Sequence, residues 1–172
     1  AGVFDIEGRM LAQAVTGTPG HVNSMAEAVQ HFIRHFPIAE MQEGDIYITN
    51  DPWMGTGHLN DFVLTTPCFR RGRLVGLFSC TSHLTDIGGL GVGPDGTDVH
   101  MEGIYIPMLK LADRGQIDLT LMAMLRRNTR EPIETEGDVY SLAACNEVGC
   151  VRLVEMMDEF GLEDLDALAG YI

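Results

Sequence analysis

The stretch that decides the fold runs from residue 58 to residue 86: His58-Leu59-Asn60-Asp61-Phe62-Val63-Leu64-Thr65-Thr66-Pro67-Cys68-Phe69-Arg70-Arg71-Gly72-Arg73-Leu74-Val75-Gly76-Leu77-Phe78-Ser79-Cys80-Thr81-Ser82-His83-Leu84-Thr85-Asp86. Two apolar runs, Phe62 to Phe69 and Leu74 to Cys80, are joined by Arg70-Arg71-Gly72-Arg73, the composition of a hairpin turn. At the outer ends stand two copies of one pattern, His58-Leu59-Asn60-Asp61 and His83-Leu84-Thr85-Asp86, 25 residues apart.

Facing residues of an antiparallel pair have a constant sum of residue numbers. A three-residue loop, Arg71 to Arg73, puts Arg70 opposite Leu74, so partners sum to 144. Asp61 then faces His83, and His58 faces Asp86. Facing Cβ atoms lie about 4.5–5.5 Å apart, close enough to share one cation. A two-residue loop lowers the sum by one and sends Asp61 and His83 to opposite faces. A shared cation therefore requires the first register or a compensating bulge.

His58, Asp61, His83 and Asp86 are accordingly candidate metal ligands. Imidazole nitrogens with carboxylates suit Mn, Fe or Zn better than the all-oxygen shells of Ca and Mg. Two His and one or two Asp also leave coordination positions open, as a catalytic site needs. The same residues suit a structural role, with Asp61 capping a turn and His83 hydrogen-bonded in a core. Asp51, Trp53 and Glu102 are candidates to line a substrate cavity beside the glycine-rich Gly55-Thr56-Gly57. A turn role for Asp51 and a buried anchor role for Trp53 are the plainer alternatives. His31 and His35 read as surface histidines, and His21 and His100 have no identifiable partner.

Outward from the hairpin, Val3-Phe4 and Met10-Leu11 flank a short turn. Ser24-Met25-Ala26-Glu27 reads as a capping box opening a helix over 24–36, and Pro37 closes it. Asp45 to Asn50 reads as a strand, as does Ile104 to Leu111, where Pro107 implies an edge or a bulge. Asp118 can cap a helix from Leu119 to Arg127. Pro132 suits a first helical turn, Thr135 to Phe160 reads as a long helix, and Gly161 fits its C-terminal cap. Strands dominate the middle and helices the end, without β-α-β alternation. The expected class is α+β, with an antiparallel or mixed sheet in the middle and a long helical C-terminal portion.

The 172 residues are 45% apolar, enough to build one core without staples. Lys and Arg number 11 against 25 Asp and Glu, a net charge of -14 that repels nucleic acids and anionic membranes. No apolar run is long enough to span a bilayer. Cys68, Cys80, Cys145 and Cys150 form no C-x-x-C pair and read as small buried thiols, which suits a reducing compartment such as the cytoplasm. Neither a phosphate-binding loop nor a G-x-S-x-G elbow is present, so no nucleophile and no ATP site is assigned here. The chain starts Ala1-Gly2 and ends Gly170-Tyr171-Ile172 within what reads as a new helix. The expectation is one domain, 1–172, cut from the N-terminal portion of a longer polypeptide.

Several blocks carry a family likeness. Gly44-Asp45-Ile46-Tyr47-Ile48-Thr49-Asn50-Asp51-Pro52, Gly57-His58-Leu59-Asn60-Asp61 and His83-Leu84-Thr85-Asp86-Ile87-Gly88-Gly89 resemble the hydantoinase B/oxoprolinase family. The likeness continues through Glu102 to Pro107, Asn128-Thr129-Arg130, Glu136-Gly137-Asp138, Asn146 and Gly149. The resemblance implies a B-type subunit of an ATP-dependent cyclic amide hydrolase opening a hydantoin, 5-oxoproline or related lactam ring. It implies a hetero-oligomer with an A-type ATPase subunit or half, which binds the ATP. Carried over position by position, His58, Asp61 and His83 match metal-ligand positions of the carboxylase branch. An acetone- or acetophenone-type carboxylase subunit, and a non-catalytic assembly module of such a complex, are the alternatives. Ser82 stands where many relatives have a second His, and Trp53 where they have Tyr.

Overall fold

The computed structural model describes residues 1–15, 17–91 and 93–169. Thr16, Val92 and the C-terminal Gly170-Tyr171-Ile172 lie outside the described residues. Seven strands form one sheet in the order β2-β1-β5-β4-β3-β6-β7, every neighbouring pair antiparallel. They are β1 Gly2–Phe4, β2 Met10–Gln13, β3 Ile46–Thr49, β4 Asp61–Arg70, β5 Arg73–His83, β6 Leu109–Asp113 and β7 Gln116–Ile117. The helices are α1 Pro19–His35, α2 Val99–Glu102, α3 Leu119–Asn128, α4 Pro132–Glu159 and α5 Asp166–Ala169.

Strand alternation sorts the sheet into two covered faces. Phe4, Tyr47, Val63 and Leu77 pack under Met25, Val29 and Phe32 of α1. Ile48, Phe62, Leu64 and Cys80 pack on the other side against Leu121, Leu125, Val139 and Leu142 of α3 and α4. Each fully buried Phe or Leu contributes about 1.5–3 kcal/mol through water release, so these two layers carry the fold. Further along α4, Leu153 and Met157 close over Cys68 and Val75.

The central hairpin resolves its register in an unexpected way. Its turn has two residues, Arg71 and Gly72, at φ 54° and 76°, since Arg70 pairs with Arg73. Positive φ at both positions is the type I′ turn that matches strand twist. That turn alone would put partners one residue out of step. Between Cys68 and Phe69 the register shifts, because Cys68 pairs with Gly76 while Phe69 pairs with Leu74, leaving Val75 as the extra residue. The bulge restores the sum of 144 from Cys68 outward, and Asp61 pairs with His83.

Several local expectations are corrected. Ser24 does not cap α1; it lies inside the helix and its hydroxyl donates to the His21 carbonyl at 3.2 Å. The helix starts at Thr18-Pro19, with Pro19 in the first turn, where its missing N–H costs nothing. The strand expected over 104–111 is Leu109–Asp113, with 103–107 irregular ahead of it. Asp118 caps α3 as expected, accepting from the Thr120 and Leu121 amides. Gly161 follows α4 at φ 64°, the left-handed cap conformation. The cysteines are not four buried thiols: Cys68 of β4 and Cys150 of α4 are disulfide-bonded with Cα atoms 5.2 Å apart, and Cys145 is exposed. No helix among the described residues is long and apolar enough to cross a membrane.

Candidate metal centre

The site is built where β4 begins and β5 ends. Asp61 and His83 stand opposite each other, and the His83 Nδ1 lies 2.7 Å from Asp61 Oδ1. His58, three residues earlier, folds back so that its Nδ1 is 3.1 Å from Asp61 Oδ2, while its own amide donates to the same oxygen at 3.2 Å. The third imidazole comes from α1: His21 Nε2 is 3.3 Å from Asp61 Oδ1.

A web of buried amide and hydroxyl bonds holds this geometry. Asn50 donates to the Leu59 and Ile104 carbonyls and accepts from the Ile106 amide at 2.6 Å. The Thr56 hydroxyl shares its one proton between the Asn50 and His58 carbonyls, 3.2 and 3.0 Å away. Asn60 donates to the Leu84 carbonyl, extending the hairpin past its last strand pair. Such satisfied buried networks fix one conformation, because breaking any member orphans a partner. Gly55 explains how α1 comes so close. A Cβ there would sit 2.5 Å from the Ser24 carbonyl oxygen and the Ala28 amide, so only glycine lets the loop lie on the helix that carries His21.

Charge and access decide what the cluster can do. The Asp61 side chain is 0% exposed, whereas those of His21, His58 and His83 are 31%, 74% and 37% exposed. A buried carboxylate needs a positive partner. Apart from the His58 amide its contacts here are imidazoles, which supply a positive charge only when protonated or when a metal ion sits among them. One ligand atom each from His21, His58 and Asp61 falls within 4.8 Å of the others, a spacing that could hold an ion. His83 reaches the same carboxylate from the facing strand. Nitrogen-rich donors with one carboxylate fit Mn, Fe or Zn, and the exposed imidazole side leaves positions free.

Two cavities flank the cluster. One of about 310 Å³ is lined by Trp53, His58, Asp98 and Glu102. The other, of the same volume, is lined by His21, His83, Thr81 and Ser82. Asp51 lines neither. It caps the short turn at Pro52–Met54 through the Trp53 amide. Burial, and after it the negative charge of Asp51, push Tyr105 up to about 12.

Asp86 does not join the cluster. Its carboxylate accepts from the amides of Gly88, Arg130 and Glu131 and pairs with the Arg130 guanidinium, tying the loop after β5 to the start of α4. Burial alone would raise its pKa, but the Glu131, Gly88 and Arg130 amides outweigh that and hold it below the ordinary value. His21 was the residue that sequence reasoning missed. The signal for it was Thr18-Pro19, which opens the helix a turn and a half before the false capping box.

Comparison with known proteins agrees with this architecture. Residues 1–172 match the profile of the hydantoinase B/oxoprolinase family. The chain is 33% identical over 168 residues to the beta chain of the caprolactamase of Pseudomonas jessenii, covering 96% of this chain and 29% of that protein. The crystal structure of the ATP-dependent caprolactamase from that organism superposes with a TM-score of 0.84 over 97% of this chain and 29% of that one. The B-type subunit of a putative D-/L-hydantoinase from Pseudomonas sp. (strain NS671) is 26% identical over 176 residues, 96% of this chain and 29% of that protein. Nucleotide-free acetone carboxylase shares the fold, with a TM-score of 0.82 at 21% identity over 96% of this chain and 22% of that one. The chain thus spans under a third of the length of these relatives. On the full-length family match and the 33% identity to a caprolactamase subunit, this chain belongs to the hydantoinase B/oxoprolinase family.

Proposed function

We propose that this chain is the metal-bearing portion of a B-type subunit of an ATP-dependent cyclic amide hydrolase, opening a lactam or hydantoin ring. A single observation carries the reading: a fully buried carboxylate, Asp61, ringed by His21, His58 and His83 between two open cavities. The caprolactamase likeness supports a cyclic amide as the substrate, and its ATP dependence and subunit naming support an ATPase partner of the A type.

A divalent Mn, Zn or Fe bound here would supply Lewis-acid polarisation of the substrate carbonyl. The protein's own contribution is positional. Asp61 orients His58 and His83 through its two oxygens, and the Asn50 and Asn60 amides hold the loop that presents them. Trp53 and Glu102 wall the cavity beside His58, where a small ring can lie against an aromatic face with a carboxylate at its polar edge.

The test couples metal content to turnover. The purified chain should carry about one equivalent of transition metal, lost in His58→Ala and His83→Ala. With its ATPase partner it should release ADP in response to a lactam. Undiminished metal in both variants overturns the shell. ADP release driven by a ketone with bicarbonate, and not by any cyclic amide, overturns the hydrolase in favour of a carboxylase. A metal-free chain that still supports a fully active complex leaves only an assembly role.

A further inference from the structure

We propose, resting on the cyclic-amide reading above, that the cavity beside His58 selects rings that carry an ammonium group, with Trp53, Asp98 and Glu102 as its specificity-determining residues. The lining of this cavity is one-sided in charge. Asp98 and Glu102 stand in it, and no Lys or Arg lines it among the described residues. Neither carboxylate belongs to an ion pair among those residues. Trp53 is an independent sign of a ligand. Tryptophan is highly buried on average, yet this side chain is 67% exposed and walls the cavity instead of filling a core. An aromatic face with carboxylates beside it recognises an ammonium ion, through the ring quadrupole on one side and direct charge on the other.

Each of the three residues is held in place. The Asp51 carboxylate accepts from the Trp53 amide at 2.9 Å, and the indole lies tilted against the Tyr105 ring with centroids 6.5 Å apart. Asp98 opens α2 by accepting from the His100 amide at 2.9 Å. Glu102 ends that helix between two backbone bonds to the loop after β5. The Leu90 amide donates to the Met101 carbonyl and the Ile104 amide to the Ile87 carbonyl, both at 2.8 Å. Gly89 lets the loop lie this close, because a Cβ there would stand 2.4 Å from the Glu102 carbonyl carbon. A ring that turns its carbonyl toward His58 leaves its substituents to Trp53, Asp98 and Glu102. An ammonium substituent there meets opposite charge and an indole face. A carboxylate substituent, as in 5-oxoproline, meets like charge. The order of preference is therefore cationic, then neutral, then anionic rings.

Trp53 is the only tryptophan in the chain, so its fluorescence reports on this cavity without any turnover. The probes are α-amino-δ-valerolactam, δ-valerolactam and 5-oxoproline, each titrated into the full chain. The amino lactam should change Trp53 emission with a dissociation constant about tenfold below that of the plain lactam, and 5-oxoproline should bind weakest. The margin should shrink as salt is raised, a test of wild type that no folding defect can imitate. It should vanish when Asp98→Asn and Glu102→Gln are combined, both near-isosteric, with Asn still able to cap α2. Equal affinities, a preference for 5-oxoproline, no Trp53 response to the amino lactam, or an undiminished margin in the double variant overturns the proposal. ADP release by the complex with its ATPase partner is read with the same three compounds. Release driven by cyclic amides without this charge order overturns the ammonium subsite and leaves the hydrolase standing. The charge order in binding, with no ADP release from any of the three, supports the subsite and overturns the hydrolase.

Discussion

Asp61 faces His83 across β4 and β5 only because one residue, Val75, bulges out of the ladder below them. The turn at Arg71-Gly72 would otherwise pair them out of step, and a one-residue slip reverses every side chain. The contact between Oδ1 and Nδ1 at 2.7 Å is thus a long-range product of a local irregularity some seven residue pairs away.

Asp61→Asn keeps the volume and removes the charge around which three imidazoles gather. Metal affinity should fall by more than the roughly 10–100-fold that outer-sphere partners cost. Chelator competition measures it. His21→Ala should weaken the metal as well while leaving the hairpin register untouched, since His21 is held by α1. Unchanged affinity in Asp61→Asn would remove the carboxylate from the shell.

Asp86→Ala should act on stability rather than on metal. It orphans the amides of Gly88, Arg130 and Glu131, a loss of about 1–2 kcal/mol at pH 7 by analogy with helix-cap deletions. The folded-state pKa of Asp86 is depressed. Its contribution is therefore complete above the ordinary carboxylate range near pH 4 and is lost as pH falls through the lower folded value. Urea titrations of wild type and variant should diverge at pH 7 and converge toward pH 2–3. A gap that widens in acid would contradict this sign.

Gly149→Ala should destabilise the chain although alanine is the better helix former by about 1 kcal/mol. A Cβ at position 149 would stand 2.4 Å from the Phe78 ring, so α4 must lift from the sheet or the ring must move. The net cost should be about 1–3 kcal/mol, read from the denaturant midpoint. A more stable variant would mean that α4 packs less closely than described.

Much of this was legible from residues 58–86 alone. The alternating apolar runs gave both strands, and the doubled His-Leu-x-Asp pattern pointed to the corner of the sheet where Asp61 and His83 meet. The turn length was misjudged, because Arg71 at positive φ carries no marker as plain as Asn-Gly, and the bulge cancelled the error. Asp86 went astray for a reason the pattern hides: past the last strand pair the two copies stop facing each other, and the second finds backbone amides near α4 instead. His21 was hidden by Ser24 and Glu27, whose spacing imitates a helix start inside a helix that Pro19 had already begun. The cysteine pairing could not be read either, since partners 82 residues apart are chosen by how α4 lies on the sheet.

The bulge at Val75 makes chain length, rather than side-chain identity, the sensitive variable in this hairpin. Substitutions at the exposed Arg71 leave the parity of the two strands alone. Removing one residue from either arm would preserve the composition and most of the apolar content, yet turn Asp61 and His83 back to back. Tolerance maps of this region should therefore show a sharp intolerance to single-residue indels in both arms, set against broad acceptance of point changes at the tip.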